Sequence, residues 1–171
     1  HNHAAYVESA IESVLNQTVE DWELLIIDDG SEDGTWNIVQ RYKSDPRIKL
    51  IQANGIGLPK VANLALRESK GTYLIRLDGD DVFDENILLV LANFLDRNAN
   101  VGAVYPDYFL MNESGHVFSH ERRERLYSKN HLFDLPPNGA CTLIRAALLR
   151  DLGGYREDLG AQDGFDFWSR V

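Results

Sequence analysis

The chain has 171 residues, enough for one domain with a sizeable core, and nothing in its composition requires two. Its 27 Asp and Glu against 17 Lys and Arg give a net charge of -10. No basic run is interleaved with aromatic residues, which argues against nucleic acid as a partner. The single cysteine, Cys141, cannot form an internal disulfide, so we expect a reducing, cytoplasmic setting. No apolar run approaches the roughly 20 residues that cross a bilayer. We therefore expect no transmembrane segment, and contact with the inner face of a membrane stays open.

Strands and helices alternate along the chain, as judged from continuous apolar runs and from apolar residues at helical spacing. Helices are predicted over residues 4–16, 35–43, 61–69, 84–97, 146–152 and 162–171. Strands are predicted over residues 22–28, 48–51, 73–78, 101–111, 117–120 and 140–144, with a hairpin turn at 112–115 and a solvated loop at 121–130. This alternation predicts a single-domain α/β layer fold with a mainly parallel sheet.

Two of the predicted strands end in acidic side chains. Asp28 and Asp29 follow the first apolar run, and Asp78, Asp80 and Asp81 follow the run that starts at residue 73. Open α/β sheets bind ligands in the crevice beyond the carboxyl ends of their strands. We therefore expect both acidic ends to line one crevice.

The second acidic end has the form Asp-x-Asp, with Gly79 between Asp78 and Asp80. Glycine lets the backbone bend and a ligand approach closely. Two hard oxygen donors on one short turn suit Mg2+ or Mn2+ held by one or two carboxylates plus phosphate oxygens. Turn formation alone explains one or two such acids, whereas three carboxylates repel one another unless a positive charge lies between them. The sequence therefore favours a metal site over a plain turn.

Four segments, in this order, resemble an inverting glycosyltransferase of family two with the GT-A fold. They read NHAAYVESAIESVLNQT, LLIIDDGSEDGT, GTYLIRLDGDD and GGYREDLGAQDGFDFW. The resemblance implies a catalytic domain over residues 1–171, without the family's first strand and its later C-terminal part. It also implies a role in cell envelope polysaccharide biosynthesis. The implied donor is a nucleoside diphosphate sugar, in the first place a UDP-sugar, and the implied acceptor is a hydroxyl of a glycan, a lipid-linked or another molecule.

By this resemblance, the first acidic end binds the nucleotide. Asp28 or Asp29 would accept hydrogen bonds from the base and ribose, with Ser31 beside them in the same turn. The family often has an Arg in its third helix that supports the nucleotide. That position is Ala62 here, and Lys60, one turn away, would take its place.

The second acidic end and the last helix supply the remaining implied roles. Asp78 and Gly79 would face the ribose and diphosphate, and Asp80, together with Asp78, would ligate Mn2+ or Mg2+. Asp163 would be the general base, although the residue before it is Gln162 where the family usually has Glu. From its position alone, at the head of a predicted helix, Asp163 could equally be an N-cap.

Two other functions remain open at this stage. A nucleotidyltransferase shares the need for a nucleotide and a metal ion. A sugar-nucleotide-binding module without turnover would carry the same acidic turns, and consumption of UDP-sugar with and without Mn2+ would separate it from an enzyme.

Overall fold

The computed structural model describes residues 1–123, 140–159 and 163–171, and for residues 163–165 it describes the backbone only. The helices of the described ranges are α1 (Val7–Leu15), α2 (Thr35–Val39), α3 (Leu58–Glu68), α4 (Ile87–Arg97), α5 (Ala146–Asp151) and α6 (Asp163–Arg170). The strands are β1 (Leu24–Asp29), β2 (Ile48–Ala53), β3 (Tyr73–Leu74), β4 (Ala103–Val104), β5 (Tyr108–Met111), β6 (Val117–Glu121) and β7 (Leu143–Arg145). No described helix is long and apolar enough to cross a membrane.

The predicted parallel pairing is present between β1 and β2, in a register that places Asp28 beside Gln52. Helices α1 and α2 cover this pair with a cluster of buried residues that includes Val7, Ile11 and Val39. Burial of this apolar surface fixes the register, because a slip of one residue would turn these side chains to the opposite face. The end of β1 is thereby held at the edge of the sheet where the first acidic turn begins.

The strand predicted from Tyr73 to the acidic turn is much shorter than expected. Only Tyr73 and Leu74 pair with a neighbour, antiparallel to β7, and β7 also pairs antiparallel with β4. The ladder stops because Cys141, just before β7, has a φ of 56°, so that its N–H reaches the carbonyl of Arg76 outside the strand register. Residues 75–78 therefore continue toward the acidic turn as irregular chain.

Two further boundaries differ from the prediction. The strand predicted over 101–111 is divided into β4 and β5, since Pro106 lies between them and lacks the N–H that a ladder requires. The helix predicted from residue 84 begins at Ile87, because the Asp84 carboxylate accepts the N–H of Asn86 and holds a turn there. The predicted hairpin is confirmed as β5 and β6. Most of the loop predicted over 121–130 lies outside the described residues.

The C-terminal part of the chain forms a separate cluster of buried residues. Phe167 and Trp168 of α6 are buried with Leu149 of α5 and Leu66 of α3. Between α5 and α6 the chain turns through Gly153 and Gly154, both at a φ of 78°, where a side chain would be strained. This packing brings α6, which begins at Asp163, against α3 and α5.

Candidate active site at the acidic strand ends

The two acidic ends meet at one cavity of about 150 Å³. Asp28 lines it from the end of β1, and Asp78 and Gly79 line it from the second acidic turn. His1 and His3 also line the cavity, together with apolar residues of α1 and β1. The structure thus brings together the carboxyl end of β1 and the Asp78 turn, as the sequence predicts.

Asp28 is buried, with 4% of its surface exposed. Its carboxylate accepts hydrogen bonds from the hydroxyl of Ser31 and, at 3.3 Å, from the N–H of Ser31. A buried carboxylate retains further acceptor capacity beyond these two bonds, since its two oxygens offer about four lone-pair positions. Asp28 can therefore accept a hydrogen bond from a ligand while it keeps its hydrogen bonds to Ser31.

Asp29 has a different role from its neighbour. Its two carboxylate oxygens accept the N–H groups of Ile56 and Gly57, each at 2.8 Å. Gly57 is the N-cap of α3, so Asp29 fixes the place where that helix begins. The carboxylate thus accepts the N–H groups of the N-cap and of the residue before it, just ahead of the first helical turn.

We expect Asp29→Ala to lower the melting temperature by several degrees, because two charge-assisted hydrogen bonds are lost and a net cost of about 1 to 3 kcal/mol follows. Thermal unfolding followed by circular dichroism measures this effect. Glu32→Ala is the matched control, since Glu32 is an exposed acid of the following turn whose side chain forms no hydrogen bond with the described residues. Equal melting temperatures for the two variants would contradict the structural role of Asp29.

The first residues of the chain are fastened onto the turn after β1, a contact that the sequence did not predict. Four hydrogen bonds of 2.9 to 3.0 Å join residues 2–4 to residues 31–35. The donors and acceptors are Asn2 with Ser31 and Glu32, His3 with Thr35, and Ala4 with Asp33. The hydroxyl of Thr35, followed by the Ala4 N–H, lowers the pKa of Asp33 to about 2. The hydroxyl of Ser31 thus donates a hydrogen bond to Asp28 and accepts one from the N–H of Asn2.

This fastening places His3 against the second acidic turn. A Cβ added to Gly79 would lie 3.2 Å from a ring carbon of His3, so the glycine permits this close approach. A ligand that needs the Gly79 backbone would therefore meet the His3 ring beside it.

The second acidic turn contains its own positive partner. Asp78 forms an ion pair with Arg76 at 3.0 Å. Partial burial, and then the charges of Asp78 and Asp80, raise the pKa of the Asp81 carboxyl, while Arg76 and Arg123 oppose this shift. The acids of this turn are therefore only partly neutralised by arginine.

Asp80 is exposed, and Lys60 is exposed in the first turn of α3. Lys60 forms no ion pair with any residue that the structure describes. Asp163 is the first residue of α6, and its side chain lies outside the described part of the chain. Of the predicted site residues, Asp28, Asp78 and Gly79 line one cavity, whereas Asp80 and Lys60 are exposed and do not belong to its lining.

Three other acids near the start of α6 already have partners. Asp166 is buried and paired with Arg170, Asp158 is paired with Arg156 at 2.6 Å, and Glu157 accepts a hydrogen bond from Asn63 at 2.9 Å. A residue that must accept a proton from a ligand needs an accessible carboxylate. Asp166, which is buried and paired, is therefore a poorer candidate for proton transfer than its position suggests, whereas Glu157 and Asp158 are exposed and remain accessible.

Comparison with known proteins gives matches over most of the chain. The model of the family described as Glycosyl transferase family 2 matches residues 1–152, a range that includes both acidic ends and stops before Asp163. Chondroitin synthase from Escherichia coli is 30% identical over 133 residues, which are 77% of this chain and 19% of that protein.

Solved structures match over almost the whole length. TarS 1-349 from S. aureus in complex with UDP has a TM-score of 0.80 at 23% identity and is matched over 99% of this chain and 52% of its own. The mannosyltransferase PcManGT from Pyrobaculum calidifontis, in complex with GDP-Man and Mn2+, has a TM-score of 0.72 at 24% identity over 96% of this chain and 47% of its own. The chain therefore spans about half the length of these structures and about a fifth of the chondroitin synthase.

Proposed function

This chain belongs to glycosyl transferase family 2 and has the GT-A fold, and from this we propose that it transfers a sugar from a nucleoside diphosphate sugar to an acceptor hydroxyl with inversion at the anomeric carbon. The observation that carries the proposal is the cavity at which Asp28 meets the turn of Asp78 and Gly79. A sugar nucleotide needs acceptors for its base and ribose and positive charge for its diphosphate; the first acidic end would supply the acceptors, and the second would hold the cation that supplies the charge.

The proposed donor is a UDP-sugar, bound with its nucleoside at the end of β1. Asp28 supports this because its buried carboxylate has acceptor capacity left beside the Ser31 turn. A base or ribose donor that lost this partner inside a closed site would cost about 1 to 3 kcal/mol. TarS has been solved with UDP and the mannosyltransferase with GDP-Man, so uridine and guanosine donors are the two to compare. Lys60, at the surface of α3, would lie near the diphosphate.

Mn2+ or Mg2+ is the proposed cofactor, held by Asp80 and Asp78. No three His, Cys, Asp or Glu side chains within the described ranges form a complete ligand set. The two carboxylates of Asp78 and Asp80 fit a cation that takes one or two carboxylates from the protein and its other ligands from phosphate and water. The mannosyltransferase with a similar fold binds Mn2+ together with its sugar nucleotide. A bound cation would act as a Lewis acid on the diphosphate and stabilise the charge of the leaving group.

Asp163 is the proposed general base. Its carboxylate would take the proton of the acceptor hydroxyl while that oxygen bonds to the anomeric carbon, and the bond from this carbon to the diphosphate would break with its electron pair on the diphosphate. Attack from the face opposite the leaving group gives inversion. The N-terminus of α6 would favour the ionised form of Asp163 that this step requires.

The acceptor proposed is a glycan, a lipid-linked or another hydroxyl compound of the cell envelope, and residues 1–171 would act as the catalytic domain. The setting proposed is the cytoplasm, with contact to the inner face of the membrane when the acceptor is lipid-linked. The similarity to chondroitin synthase supports a polysaccharide acceptor in particular.

A product-release assay tests the proposal. The purified chain is incubated with UDP-glucose, UDP-GlcNAc, UDP-galactose, UDP-glucuronic acid or GDP-mannose, in Mn2+ or in EDTA, and the released UDP or GDP is measured. We expect UDP release from at least one UDP-sugar, only with the metal ion present, and stimulated by oligosaccharide acceptors. Nucleotide binding without release from any donor would identify a binding module, and release of pyrophosphate from UTP with a sugar phosphate would identify a nucleotidyltransferase.

A further inference from the structure

Asn63 of α3 is a polar residue on the buried face of an amphipathic helix. Only 9% of its surface is exposed, and it shares this face with Pro59 and Leu66. A buried amide must find partners, because an unpaired one costs free energy. All of the partners that the structure describes for the Asn63 side chain lie in one segment, the loop of residues 153–159 between α5 and α6.

The Asn63 amide clamps this loop at three points. Its Oδ1 accepts the N–H of Tyr155 at 2.8 Å, and its Nδ2 donates to the carbonyl of Tyr155 and to the Glu157 carboxylate, each at 2.9 Å. Pairing with both backbone groups of one residue fixes the position and the direction of the loop. An amide is required for this, since it combines an acceptor and two donors in one plane.

The neighbouring glycine shows how closely the loop approaches α3. A Cβ on Gly154 would lie 2.5 Å from the Asn63 Oδ1, and the Gly154 φ of 78° is one that other residues rarely adopt. Two independent constraints, space and backbone conformation, therefore require glycine here. The requirement for glycine at this position is visible only in the structure, because it comes from the contact with Asn63 and from the backbone conformation.

The loop is also hydrogen-bonded to α6. Arg170 donates to the carbonyls of Leu152 at 2.9 Å and Gly154 at 2.8 Å, and it forms an ion pair with buried Asp166. The loop and α6 should therefore move as one unit. Any shift of the loop would carry with it the first residue of α6, Asp163.

We propose that Asn63 is a positioning residue, which holds the loop 153–159 and with it the head of α6 at a fixed distance from the donor side. The start of α3 is held by Asp29 at the end of β1, so α3 connects the nucleotide end of the site to the acceptor end. This inference rests on the proposed function in one respect, the role of Asp163 as base. A base that is misplaced by about 1 Å can lose as much as 100-fold in rate.

Asn63→Ala tests the proposal by turnover. With the donor that the product-release assay identifies, we expect kcat to fall by about 10-fold to 100-fold, while the Kd for UDP in Mn2+ stays within about twofold of the wild-type value. Ser69→Ala is the matched control, because it removes the side-chain hydrogen bonds of the C-cap of the same helix, to the carbonyl of Leu66 at 2.9 Å and from Arg150 at 3.4 Å, and none of these reaches the loop. Asn63→Asp, which keeps the acceptor and removes the donors, replaces Asn63→Ala if that variant does not fold. An unchanged kcat in the folded Asn63 variant would overturn the proposal, and so would an equal loss of kcat in Ser69→Ala.

A second readout does not depend on catalysis. Amide hydrogen exchange at Tyr155 should become about fivefold faster or more in Asn63→Ala, as expected for one lost hydrogen bond, and should be unchanged in Ser69→Ala. If the wild-type chain consumes no donor, the proposed function fails, and the Tyr155 exchange rate alone decides whether Asn63 holds the loop. Unchanged exchange at Tyr155 in the Asn63 variant would overturn the inference whatever the activity of the wild type.

Discussion

Asp163→Asn is expected to lower the rate of sugar transfer by about 100-fold or more, the usual contribution of a general base. Asparagine caps a helix about as well as aspartate, so the melting temperature should stay the same. It cannot take the proton of the acceptor hydroxyl, and it cannot be replaced in this by Asp166, which is buried against Arg170. Steady-state kinetics at saturating donor, with calorimetry of UDP in Mn2+ alongside, measures the effect.

The control for this variant is Asp158→Asn, an exposed acid five residues earlier that is already paired with Arg156. We expect its turnover to remain within about twofold of the wild-type value, because an exposed ion pair contributes little. Near-normal transfer by Asp163→Asn would remove Asp163 from the mechanism. A large loss in both variants would show that the segment as a whole is sensitive and that neither carboxylate is singled out.

Removal of the metal ion has the second large expected effect. UDP should bind in Mn2+ or Mg2+ and bind at least about tenfold more weakly in EDTA, because the diphosphate charge would otherwise meet the acids at 78, 80 and 81. Asp80→Ala should give the same loss in the presence of Mn2+. Isothermal titration calorimetry measures both affinities, and Glu85→Ala, an exposed acid beyond the turn, is the control that should change neither.

Equal UDP affinity in EDTA and in Mn2+ would reject the metal role. In that case Arg76, which already pairs with Asp78 at 3.0 Å, would be the first candidate for the positive charge. The variant Arg76→Gln then separates the two explanations, since it should weaken UDP binding only if arginine supplies that charge.

Much of the fold could be predicted because apolar spacing reports helices and strands directly. The parallel pair of β1 and β2 and the helices that cover it follow from such patterns. Strand lengths could not be predicted in the same way, since they depend on partners distant in the chain. Thus β3 ends after Leu74, where the N–H of Cys141 bonds to the carbonyl of Arg76 out of register with the β3–β7 pair, and no local pattern near residue 74 reports this.

The acidic residues of the candidate site could be predicted from their type and position in the sequence, but their hydrogen-bond partners could not. The acids at 28 and 78 could be assigned to one crevice because the carboxyl ends of strands share one edge of a sheet. The partners of Asp29 could not be foreseen, because they are backbone N–H groups of residues 56 and 57, which any residue type would offer. Asn63 did carry a signal, an amide on the apolar face of a helix, but its partner lies 92 residues further along the chain.

The most direct test of the central claim is a crystal structure of the chain grown with UDP and Mn2+, with anomalous data collected for manganese. We expect one anomalous peak within about 2 to 2.5 Å of a carboxylate oxygen of Asp80 or Asp78, with the diphosphate of UDP on the other side of the ion and the uridine at Asp28. UDP bound elsewhere on the chain, or UDP at Asp28 with no manganese peak at the second acidic turn, would contradict the account.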